Sequence, residues 1–84
     1  MAQRTTENKD GPEKAFVIRS YGYGELALLY FPNSTKKSAT TQLRRWIRRN
    51  LELRNTLAQL GFVERQRILT PRQVEIVVQY VGEP

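Results

Sequence analysis

The sequence predicts a mainly helical fold: a small, helix-turn-helix-like domain of three or four helices with one or two short β-strands. Three observations predict it. Apolar residues recur at three- and four-residue spacing through Ala39, Leu43, Trp46 and Ile47, and again through Leu53, Leu57 and Leu60. Residues that start and stop helices bracket these runs, notably Thr70-Pro71 before the last one and Gly61 and Gly82 after two of them. The chain has 84 residues, enough for a single modest core.

Residues 1–14 read as a disordered leader and 15–84 as one helical domain. Met1–Asp10 is polar and lacks the apolar segment of a secretory signal, and Gly11-Pro12 closes it. Ala15–Ser20 is β-branched and aromatic, with Phe16 and Ile18 on one side of an extended chain, which predicts a strand. Ser20–Gly24 supplies turn residues. Glu25–Tyr30 is a short helix with Glu25 near the positive end of its dipole, and Pro32-Asn33-Ser34 stops it.

Ser38 is the expected N-cap of the next helix, which runs to Asn50, where the chain either closes the helix or kinks. One face carries Ala39, Leu43, Trp46 and Ile47, so Trp46 is expected as a core anchor. The opposite face carries Arg44, Arg45, Arg48 and Arg49. Leu53, Leu57 and Leu60 form a further stripe ending at Gly61. Phe62–Leu69 alternates loosely and allows a second strand over Gln66–Leu69. Val74, Val77, Val78 and Val81 favour a strand by residue type, but Thr70, Pro71 and Gln73 make a capping box with a first-turn proline and decide for a helix.

Charge is the most informative property for function. Lys36 to Arg54 holds seven basic residues against Glu52 alone, which accounts for the whole net charge of +6. Arg44/Arg48 and Arg45/Arg49 are like-charge pairs at i,i+4, an arrangement that costs stability in an isolated helix and is offset by a polyanionic partner. Ten of the fourteen basic residues are arginine, suited to bidentate contact with phosphate or guanine. The expected partner is nucleic acid, specifically duplex DNA. Lys36 and Lys37 would anchor the backbone, and Thr41, Gln42, Arg44, Arg45, Arg48 and Arg49 would reach phosphates and base edges.

Catalysis is not expected. With no histidine or cysteine, the commonest general base, thiolate nucleophile and metal ligands are missing. The glutamates are scattered, and Gly22-x-Gly24 is a turn signal without a third glycine. No cofactor, metal site or membrane span is expected, since no apolar run nears the ~20 residues of a spanning helix. The absence of cysteine fits the cytoplasm. Two other readings compete with DNA binding: an interaction module docking an acidic protein, and a homodimer through Val74–Val81. One protruding arginine ridge would favour DNA, whereas arginines spread over a flat or concave surface would favour the acidic protein.

Four stretches carry a family resemblance: F-x-I-x-S-Y-G at Phe16–Gly22, E-L-A-x-L-Y-F-P at Glu25–Pro32, L-x-R-W-I at Leu43–Ile47, and T-P-R-Q-V…Y-x-G-E-P over Thr70–Pro84. Together they resemble a family of short proteins from Bacteroides-type gut bacteria, described only as a domain of unknown function. The resemblance implies a stand-alone bacterial cytoplasmic protein, often encoded near mobile-element genes, a setting that favours DNA work. In that family a proline commonly follows the asparagine matching Asn50; here Leu51 stands in its place.

Overall fold

The computed structural model describes residues 16–84, so the leader assigned to 1–14 lies outside the described residues, as does Ala15. In chain order the elements are β1 (Tyr21–Gly22), α1 (Tyr23–Tyr30), α2 (Lys36–Arg49), α3 (Leu51–Gln59), β2 (Ile68–Leu69) and α4 (Pro71–Val81). The mainly helical reading is correct, with a two-stranded antiparallel sheet pairing Tyr21 with Leu69 and Gly22 with Ile68. α1 packs chiefly on α2, and α3 on α4. Leu26, Leu43, Leu53, Leu57, Leu69, Val74 and Val77 are fully buried between them.

The first strand lies later than Ala15–Ser20. Residues 16–20 form no strand, and Val17 and Ile18 are exposed. Side chains hold this segment instead: the Tyr21 hydroxyl donates to the Val17 carbonyl at 2.8 Å, and Phe16 stacks on the Tyr21 ring. β2 is only two residues long, so only Tyr21 and Gly22 find ladder partners. α1 then starts at Tyr23 rather than Glu25, because Glu25 reaches back three residues to accept from the Gly22 N–H at 3.1 Å.

α2 begins at Lys36, capped by Thr35 and not by Ser38: Thr35 Oγ1 accepts from the Ser38 N–H at 3.1 Å. The connection from α1 is therefore five residues, Phe31–Thr35. The inward stripe of α2 is Ala39, Leu43 and Ile47, each four residues from the last. That phase turns Trp46 to the edge of the stripe. It is 38% exposed, resting against Tyr30 and Phe31, and is not the core anchor expected. Asn50 closes α2 and caps α3 with Oδ1 on the Leu53 N–H at 3.0 Å.

α3 ends as expected, with Gly61 in the left-handed region at φ +82°. α4 has the capping box read from the sequence: Thr70 Oγ1 accepts from the Gln73 N–H, and Gln73 Oε1 from the Thr70 N–H. The Gln73 side chain is buried and also donates to the Leu60 carbonyl at 3.1 Å, tying the end of α3 to the start of α4. α4 buries Val74, Ile76 and Val77, leaving only Tyr80 among its large apolar side chains exposed. Among the described residues no helix is long and apolar enough to cross a membrane.

Candidate functional site

The start of α2 sets the site. With Thr35 as cap, Lys36 and Lys37 occupy the first turn, where the helix dipole already favours anions and disfavours cations by roughly 0.3–1 kcal/mol each. The Lys36 stem crosses α1 at Gly24, where a Cβ would sit 2.9 Å from Lys36 Cγ and closer still to Cε. A Cβ at Gly24 would push the Lys36 side chain off this path, so the glycine leaves room for the stem to lie across α1.

An open cleft of about 780 Å³ runs between α1, α2 and the segment before β2. Lys36, Lys37 and Arg44 line it from α2, and Arg65 and Arg67 from the opposite side. Among the described residues its one carboxylate is Glu25, engaged by the Gly22 N–H and by Arg19 at 3.2 Å, which together hold its pKa below the usual value. The Arg67 carbonyl accepts from the Tyr23 N–H at 2.7 Å, locking this segment to α1. Gln66 bonds to Val63, Ile68 and Gln73, so the turn bearing Arg65 and Arg67 is fixed at both ends.

Thr41 also lines the cleft, with its hydroxyl donating to the Lys37 carbonyl. Gln42 is half-buried, and its amide donates to Ser34 and Ser38. A shallower depression beside the cleft gathers Lys37, Thr41, Gln42 and Arg45. The four arginines of α2 differ in setting: Arg45, Arg48 and Arg49 are exposed and Arg44 is half-buried, and Arg44 and Arg48 also line a separate concavity. Arg44 lies over the Tyr23 ring at 5.4 Å, and Arg48 Nε donates to Glu64 at 3.0 Å. That contact raises the Arg48 pKa and lowers that of Glu64.

Arg65 and Arg67 went unread in the sequence because their window, Glu64-Arg65-Gln66-Arg67, carries little net charge and no helical periodicity. Only the pairing of β2 with β1 brings them opposite Lys36 and Lys37.

No curated protein and no solved structure matches the chain. Residues 17–84 match the family described as Domain of unknown function (DUF4248), and the chain belongs to that family.

Proposed function

We propose that the chain binds duplex DNA through the basic face built on α2. The observation that carries this reading is the cleft in which cations from two distant segments, Lys36, Lys37 and Arg44 with Arg65 and Arg67, converge around one already engaged carboxylate. Such convergence matches a phosphate backbone, whose neutralisation releases condensed counterions. α1, the five-residue connection and α2 have the order of a helix-turn-helix, with Arg45 and Arg49 exposed beside the cleft. In this reading Lys36, Lys37, Arg65 and Arg67 hold phosphates, and Thr41, Arg45 and Arg49 lie nearest the groove. A bacterial cytoplasmic setting belongs to the same proposal.

A labelled duplex with 5′-hydroxyl ends, titrated at several salt concentrations, tests it. Affinity falls as salt rises, and Lys37→Ala with Arg45→Ala weakens binding at every salt. A flat salt response, or unchanged affinity of the double variant, ends the reading.

A second reading has its own observation. Half-buried Arg44 and exposed Arg48 line a concavity, as suits carboxylates on an acidic protein more than a smooth duplex. Capture of one acidic protein with no duplex shift at low salt would favour it. A homodimer through α4 finds less support, since α4 covers most of its apolar side chains within the chain.

A further inference from the structure

The concavity that takes in Arg44 and Arg48 lies at the elbow between α2 and α3, apart from the basic cleft except at Arg44 and Tyr23. Its volume is about 400 Å³, within the roughly 300–1,000 Å³ range of small-molecule sites. The helix break at Asn50 forms it, because α3 turns back and brings Arg54 to the same space as Arg44 and Arg48. Ile47, Ala58 and Phe62 supply an apolar wall. Among the described residues Glu64 is the only acidic group lining it, so three arginines and one carboxylate leave an excess of two positive charges.

Tyr23 is the second, independent observation. It is 3% exposed and lines this concavity, yet among the described residues its hydroxyl has no hydrogen-bond partner. A buried hydroxyl without a partner costs free energy and calls for an acceptor. Arg44, Arg48 and Glu64 line the same concavity, and the Arg44 guanidinium lies 5.4 Å from the centre of the Tyr23 ring. Burial raises the Tyr23 pKa to about 12, which keeps the hydroxyl a donor at neutral pH. Arg48 uses Nε on Glu64, and its terminal nitrogens remain for a ligand.

We infer that this concavity is a binding site for a terminal phosphate monoester, with Arg44, Arg48 and Arg54 neutralising the dianion and the Tyr23 hydroxyl donating to one of its oxygens. The excess of two positive charges matches a monoester dianion, and guanidinium forks fit its planar pairs of oxygens. A phosphodiester inside a duplex has one charge and no free end to insert, so this site does not rest on the duplex reading. The monoester has two sources, a free nucleotide or the 5′-phosphorylated end of a nucleic acid.

Calorimetric titration of the full chain with adenosine monophosphate, adenosine, and a short single strand with or without a 5′-phosphate tests the inference. The phosphorylated member of each pair that enters the site binds at least about tenfold tighter than its unphosphorylated counterpart. A gain for adenosine monophosphate identifies the free nucleotide as a source, and a gain for the strand alone identifies the nucleic-acid end. Arg54→Ala and Tyr23→Phe each remove about tenfold of that gain, and Arg54→Ala, at an exposed position outside the basic cleft, does so without affecting the 5′-hydroxyl duplex. Equal binding with and without phosphate in both pairs overturns the inference and leaves the duplex proposal standing. A phosphate gain that survives both substitutions overturns it as well.

Discussion

The side-chain amides of Gln66 and Gln73 are bonded to each other, Nε2 of Gln66 donating to Oε1 of Gln73 at 2.5 Å. Gln73 is at once the capping-box residue of α4, the donor to the Leu60 carbonyl and the anchor for the turn that carries Arg65 and Arg67. One buried side chain therefore links the core to the basic cleft.

Gln73→Ala leaves the Leu60 carbonyl and the Thr70 N–H without their partners, at a cost of about 2 kcal/mol in denaturant unfolding. It also frees Gln66, so hydrogen exchange accelerates at the Val63 and Tyr23 amides, which donate to Gln66 Oε1 and to the Arg67 carbonyl. Unchanged protection at those two amides would refute the clasp.

Tyr23 makes stability depend on alkaline pH. Burial raises its folded pKa to about 12 from the ordinary 10, so the folded state retains a proton that the unfolded state loses. Its contribution is complete below pH 10 and is lost as pH rises through 12, a loss of roughly 2–3 kcal/mol for a shift of this size. Tyr30, whose pKa burial likewise raises to about 12, acts in the same direction. The decline in unfolding free energy between pH 10 and 12 is therefore shallower in Tyr23→Phe. Equal slopes would show that the phenol is not held in a buried site.

Leu51→Pro stabilises the chain. Leu51 is the first residue of α3 and 63% exposed, and Asn50 before it is extended at φ −99° and ψ 100°, as a residue preceding proline requires. The gain is about 0.5–1 kcal/mol, drawn from the lost freedom of the unfolded chain. Leu53→Pro, two positions on, removes the N–H that Asn50 caps and a fully buried side chain, and it unfolds the domain. Thermal melts of the two variants check both signs.

Legibility in the sequence followed the range of the interaction. Thr70, Pro71 and Gln73 announced α4 because a capping box is complete within four residues. The start of α2 was misplaced because Thr35 and Ser38 are both acceptable caps, and tertiary packing on α1 chose between them. That shift in turn explains Trp46: Ala39, Leu43 and Ile47 take the inward stripe, and the indole is left at its rim. β1 was illegible as two residues because its extent is set by β2, far along the chain. The arginines of α2 stood out as a charge run. That Arg44 and Arg48 engage Tyr23 and Glu64 while Arg45 and Arg49 do not depends on residues that no periodicity connects to them.

The two sides of the basic cleft are separable by salt dependence. Each cation that neutralises a phosphate contributes about 0.9 to the slope of log affinity against log salt. Arg65 and Arg67 stand opposite Lys36 and Lys37 in the cleft, so a duplex seated there touches both sides. Arg65→Ala with Arg67→Ala then reduces the magnitude of the slope by nearly two. Lys36→Ala with Lys37→Ala does the same, and the fourfold variant reduces it by nearly four. If the backbone instead runs along the exposed outer face of α2, Arg45→Ala with Arg49→Ala changes the slope and Arg65→Ala with Arg67→Ala leaves it untouched. That second pattern would remove the cleft from the interface, because affinity can change through folding defects but the slope reports how many phosphates the chain neutralises.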